Sequence, residues 1–73
     1  MKHLTRRQRD VLQALIGFVN EKGYAPSIRE LGDITGLRSS STVHDYLERL
    51  ETRGYITREP SNPRTIRILR RAV

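Results

Sequence analysis

Within a five-residue window the sequence places Ser41, His44 and Asp45, the types that can serve as nucleophile, base and orienting carboxylate. On a helix, however, adjacent residues diverge by about 100°, so His44 and Asp45 cannot act in line. Neither a glycine-rich loop nor a helix-capped oxyanion site accompanies them, and hydrolysis is not expected. The run Ser39-Ser40-Ser41-Thr42, followed by His44 and Asp45, suits a different chemistry. Short hydroxyls, an imidazole and a carboxylate can hydrogen-bond the base edges in a DNA major groove, and a threonine methyl can touch a thymine methyl. Ser39 and Ser40, at the head of such a helix, can also bond phosphate.

Four poor helix formers in the opening turns give up as much as roughly 0.7 kcal/mol each in helix propensity without adding to a core. Capping accounts for one of them; close approach to another surface accounts for the rest. An ordinary solvated helix face is the competing explanation. Asp45 calls for a separate account, because a carboxylate facing DNA is repelled by phosphate unless it accepts from a cytosine amino group or pairs with a neighbouring base-contacting residue. It is expected to restrict sequence more than it adds affinity.

Affinity would come from arginine. The 73 residues carry 14 Lys and Arg against 8 Asp and Glu, a formal charge of +6, and twelve of those cations are Arg. Residues 1–9 hold +4, residues 10–51 hold −3 and residues 52–73 hold +5, so the basicity sits at the two ends. The planar guanidinium grips phosphate oxygens in pairs, which favours a polyanionic partner. Arg7, Arg38 and Arg53 are candidate phosphate contacts, and Ser27 is grouped with them. Arg64, beside Pro63, is placed to enter a narrow minor groove. Each of these also has a plain surface role available to it.

Three helices and a hairpin must position these groups. Thr5 and Gln8 have capping-box spacing, and Val11, Leu12, Leu15, Ile16, Phe18 and Val19 recur at helical steps, so a helix is expected over about residues 6–22, ended by Gly23. Ser27 and Glu30 repeat the box ahead of a two-turn helix with Ile28, Leu31 and Ile34 as its apolar stripe, broken by Gly36. Ser39 is expected to cap a third helix that buries Val43, Tyr46, Leu47 and Leu50 and ends at Gly54. Ser41, His44, Asp45, Glu48 and Thr52 then fall on its outer side, with Thr42 at the margin. A short helix, a glycine turn and a second amphipathic helix form a helix-turn-helix. Tyr55-Ile56-Thr57 and Thr65 to Leu69 read as a hairpin around the turn residues 59–63, and residues 70–73 as a frayed tail. Tyr24, Tyr46 and Tyr55 adjoin apolar faces or turns and are expected at core boundaries rather than as base-stacking platforms.

Composition narrows the remaining classes. A single domain over residues 1–73 is too small for a doubly wound sheet with a cofactor crevice or for a large barrel. With no cysteine, and with His3 and His44 far apart, no disulfide or metal site is expected. No cofactor or small-molecule ligand is implied. The longest apolar run, near Ala14 to Ile16, is far below a membrane span, and a cytoplasmic location is expected. The alternative to DNA binding is a protein-interaction module that docks an acidic partner through the Arg-rich ends.

The chain resembles the N-terminal winged helix-turn-helix domain of the LexA family of SOS-response repressors. The resemblance rests on Leu4-Thr5-Arg6-Arg7-Gln8, on residues 23–32 and 36–44, on Leu50-Glu51-Thr52-Arg53-Gly54-Tyr55-Ile56 and on Pro63-Arg64-Thr65-Ile66. The run from Ser39 to His44 is more like the Gram-positive type than the enterobacterial one. The resemblance implies a mainly α, three-helix winged helix-turn-helix with a small β-hairpin, acting as a repressor on double-stranded DNA. Carried over by position, Ser39, Ser41, Thr42, His44 and Asp45 would face bases, and Arg64 would lie on the wing. Two copies would share a palindromic operator, weakly or not dimeric without DNA. The family's self-cleavage site and Ser/Lys dyad have no counterpart among these residues, so no enzymatic activity is assigned.

Overall fold

The computed structural model describes residues 4–59 and 62–70, with the backbone alone for 62–64. Three helices precede a hairpin: α1 (Arg6–Lys22), α2 (Ile28–Thr35), α3 (Ser40–Thr52), β1 (Ile56–Glu59) and β2 (Asn62–Ile68). Both expected capping boxes form. The Gln8 amide N–H donates to Thr5 Oγ1 (3.1 Å) while Thr5 N–H donates to Gln8 Oε1 (3.0 Å), which lets Gln8 be buried. Ser27 and Glu30 exchange the equivalent bonds at 3.1 and 2.8 Å.

The third cap differs from expectation. Ser39 has the extended backbone of an N-cap, but its hydroxyl makes no capping bond. Ser27→Ala is therefore expected to cost about 1 kcal/mol, whereas Ser39→Ala leaves stability unchanged; urea midpoints of the two variants check this, and equal losses would refute it.

Leu12 and Leu15 of α1, Leu31 of α2, and Leu47 and Leu50 of α3 are completely buried, and Ile56 and Ile66 attach the hairpin to them. In α2 the expected stripe holds at Ile28 and Leu31 but not at Ile34, which is 49% exposed. The helix instead turns Ile28, Leu31, Gly32 and Thr35 inward, the i, i+3, i+4, i+7 set. Thr35 can sit there because its hydroxyl donates to the Leu31 carbonyl at 2.7 Å. Gly32 is required by proximity, since a Cβ at that position would lie 2.9 Å from the Leu37 carbonyl oxygen. α2 and the turn that follows it thus pack at backbone distance.

At the other end of α3, Gly54 (φ 83°) takes the left-handed conformation. Its N–H donates to Glu51 O and the Tyr55 N–H donates to Leu50 O, both at 3.0 Å, the paired bonds of a Schellman motif. The antiparallel hairpin pairs Ile56 with Ile68, Thr57 with Arg67 and Glu59 with Asn62. One residue separates Thr57 from Glu59 while four separate Asn62 from Arg67, so β2 carries a bulge. At this irregularity the Glu59 N–H donates to the Thr65 hydroxyl (2.8 Å), a side chain replacing a ladder carbonyl.

β2 begins at Asn62 rather than at Thr65, which moves Pro63 from the loop into the strand. Pro60 and Ser61 of the expected turn lie outside the described residues. So do His3 and positions 71–73 of the expected tail. Arg70 is not frayed: its N–H and that of Leu69 both donate to the Tyr55 carbonyl.

Candidate nucleic-acid interface

α3 is held from behind by Val43, Leu47 and Leu50, all buried, with Tyr46 half-buried against the same core. Its opposite side is free of apolar side chains. Ser41, Thr42, His44, Asp45, Glu48, Arg49 and Thr52 are all exposed, as are Ser39 and Ser40 at its head. The face expected to read bases therefore exists as one surface on a helix whose orientation is fixed by packing. Because Ser39 Oγ is not used as a cap, the first-turn amides of α3 lack the side-chain partner that α1 and α2 have, and such amides suit an anionic oxygen.

The nucleophile–base–carboxylate alternative fails on geometry as well as on spacing. Asp45 is turned not toward His44 but toward Arg49, whose Nε lies 3.5 Å from Asp45 Oδ2. Both side chains are more than half exposed, so as a surface i, i+4 pair it adds no more than about 0.5 kcal/mol to stability. In the sequence Arg49 belongs to the last turn of a helix and has no mark of recognition. Its i, i+4 step from Asp45 was the available signal.

The phosphate candidates are spread over several elements. Arg38 is exposed in the turn between α2 and α3 and shares with Ser40 and Arg29 a groove of about 780 Å³ between the two helices. Arg29, which no motif marks in the sequence, is exposed as well and lines the same groove, as does the exposed Asp33. Arg7 is exposed on the first turn of α1. Ser27 is half-buried with its oxygen accepting from Glu30 N–H, so its hydroxyl is at least partly committed to its own helix. The Arg64 side chain lies outside the described ones; its backbone belongs to β2.

Arg53 is the most constrained candidate. It is half-buried, and its Nη1 is removed from solvent with no hydrogen-bond partner among the described residues. A buried donor left unmatched costs about 1–3 kcal/mol. Arg53 borders a cleft of about 400 Å³ with Thr52, Tyr55 and Arg70. Arg70 lies over the Tyr55 ring, Cζ to centroid 5.8 Å, within cation–π range. Two guanidiniums and two hydroxyls therefore line this cleft, a set of groups able to donate to an oxyanion.

The tyrosines are not stacking platforms of the kind a sheet presents to RNA. Tyr24 is half-exposed but edge-on to Phe18, centroids 5.7 Å apart, and Tyr46 and Tyr55 pack on the core. Among the described residues no His, Cys, Asp and Glu group could hold a metal, and no helix is long and apolar enough to cross a membrane.

Helices α2 and α3 joined by a tight glycine turn, backed by α1 and followed by an antiparallel hairpin, define a winged helix-turn-helix. Residues 1–65 match the LexA DNA binding domain family. The LexA repressors of Bacillus mycoides (strain KBAB4), Bacillus cereus (strain Q1) and Bacillus anthracis are each 56% identical to the chain over 69 residues, 94% of its length. The chain belongs to the LexA DNA-binding domain family, and DNA binding is the function that this membership defines. It spans 34% of the length of those repressors.

Proposed function

We propose that the protein represses transcription by occupying a promoter operator of the SOS type, with the exposed polar face of α3 in the major groove. Ser39, Ser41, Thr42, His44 and Asp45 face the bases. Arg7, Ser27, Arg38, Ser40 and Arg53 contact phosphates or their surroundings, and Arg64 serves the wing. The observation that carries this reading is the side of α3 opposite Leu47 and Leu50, polar and exposed throughout. Two copies bind a two-fold symmetric site in the cytoplasm, each reading one half. Binding by the 73 residues alone is weak, because a second half-site gains from the first only when something links the two copies.

The domain performs no catalysis in this role; Asp45 is engaged with Arg49, and binding alone occludes the promoter. The alternative of docking an acidic protein is less well supported, since protein hot spots centre on aromatic and apolar anchors and the open face of α3 has none.

A salt titration tests the proposal. Each phosphate neutralised contributes about −0.9 to the slope of log affinity against log salt, so a steep decline is expected for duplex DNA. Arg53→Ala should weaken all duplexes alike and reduce that slope by about 1. A flat response of the unaltered protein, or stoichiometric capture of a protein partner by a chain indifferent to DNA, would overturn the proposal.

A further inference from the structure

We infer that the cleft where α3 ends and the chain leaves β2 is an anion site, and that it takes the terminal phosphate of a phosphate monoester. Thr52, Arg53, Tyr55 and Arg70 border it. The inference does not rest on α3 entering the major groove.

Arg53 supplies the first reason. Its Nη1 is removed from solvent and has no hydrogen-bond partner among the described residues, a costly state for a charged donor. An oxygen brought into the cleft by a ligand relieves it. Arg70 supplies the second guanidinium, and it is held at two points. Its backbone N–H donates to the Tyr55 carbonyl at 3.2 Å, and its Cζ lies 5.8 Å from the centroid of the Tyr55 ring. A guanidinium laid over a ring loses rotamer freedom but keeps the N–H donors of its edges for another partner.

Nothing acidic on the border offsets this pair. None of the four residues carries a carboxylate. Glu51, the carboxylate nearest to Arg53 in the chain, is already engaged, accepting from Arg58 Nε at 3.4 Å. The carbonyl end of a helix repels anions, but here it is covered. The carbonyls of Arg49, Leu50 and Glu51 accept from the N–H groups of Arg53, Tyr55 and Gly54 respectively.

Charge and shape then select the ligand. A phosphate monoester carries a charge of about −1.5 to −2 at neutral pH and three acceptor oxygens, which two guanidiniums and the neighbouring hydroxyls can share. A duplex phosphodiester offers a single charge and two free oxygens, so it leaves part of the donor set unmatched. The cleft volume of about 400 Å³ falls in the range of small-molecule sites. It has room for a phosphate and the group that it esterifies.

The test needs no DNA. Methyl phosphate, a monoester, and dimethyl phosphate, a diester, are titrated into the unaltered chain above the second phosphate pKa of about 6, with the arginine side-chain N–H signals followed by NMR. Methyl phosphate should shift the Arg53 and Arg70 signals saturably and bind about 10-fold or more tightly than dimethyl phosphate, the worth of one charged hydrogen bond. Arg70→Ala and Arg53→Met should each weaken methyl phosphate by a similar factor. Arg67→Ala, an exposed arginine of β2 that does not border the cleft, should leave it unchanged. Arg70 is exposed, so its variant tests the site even where Arg53→Met fails to fold.

Shifts that never saturate, or that sodium chloride reproduces at equal ionic strength, would overturn the inference. So would full binding by Arg70→Ala. Equal binding of the two esters would make the cleft a contact for any phosphate oxygen and would overturn the assignment to a monoester. The salt dependence of duplex binding is measured separately, so a steep slope beside a failed titration removes this inference and leaves the proposed function standing.

Discussion

Leu47→Ala is expected to lower the stability of the folded chain by about 2–5 kcal/mol, the range for truncating a fully buried leucine. Leu47 has no exposed surface and lies in the core formed by all three helices and the hairpin. At about 0.05–0.15 kcal/mol per residue, a 73-residue domain has only about 4–11 kcal/mol in total, so this single truncation takes a large share of it. No disulfide can compensate. The consequence for function is specific: Leu47 is on the back of α3, and the outer face is unaltered in whatever fraction remains folded. Apparent DNA affinity should therefore fall in proportion to the folded fraction, while the selected motif and the salt slope stay as they were. Urea denaturation and duplex selection on the same sample check both parts. A loss below about 1 kcal/mol would show that the core relaxes around the cavity, and a changed motif would show that core and recognition face are not separable.

The separation of back from face was legible in the sequence because both sides of α3 are set by a local period. Val43, Leu47 and Leu50 recur at helical steps, and the run from Ser39 to Thr42 precedes them. Capping boxes were legible for the same reason, their bonds spanning only three residues. What the sequence left hidden depends on neighbours distant along the chain. Gly32 and Thr35 do not look like core residues until α3 lies against α2 and the Leu37 carbonyl approaches. The bulge in β2 coincides with a threonine hydroxyl reaching across the hairpin, which no alternation pattern encodes.

Arg29 and Arg70 carry no mark in the sequence because their relevance comes from what they face: a groove shared with Arg38 and a cleft shared with Arg53. The sequence identified the basic ends of the chain correctly as a charge asymmetry. It could not say which guanidiniums would be brought beside α3.

Ser41→Ala and His44→Ala are expected to change which sequences are bound, each losing about 1–3 kcal/mol of discrimination at its own base position while non-specific affinity and salt slope remain nearly constant. Both side chains are exposed on the outer side of α3, and neither belongs to the core that sets stability, so folding should be unaffected. His44 stands about 100° around the helix from Asp45, and Ser41 about 40° from it on the other turn. The two should therefore act at different positions, and their effects should add unless they share a base pair. Arg53→Ala is the matched control: Arg53 follows the last turn of α3 and borders a cleft with Thr52, Tyr55 and Arg70, and its loss should lower affinity evenly across sequences. Selection from a random duplex pool, followed by competition between the enriched duplex and single-base variants, separates the two behaviours. If Ser41→Ala and His44→Ala weakened every duplex by the same factor, α3 would be anchoring the backbone rather than reading bases, and specificity would have to come from the hairpin or from the shape of the DNA.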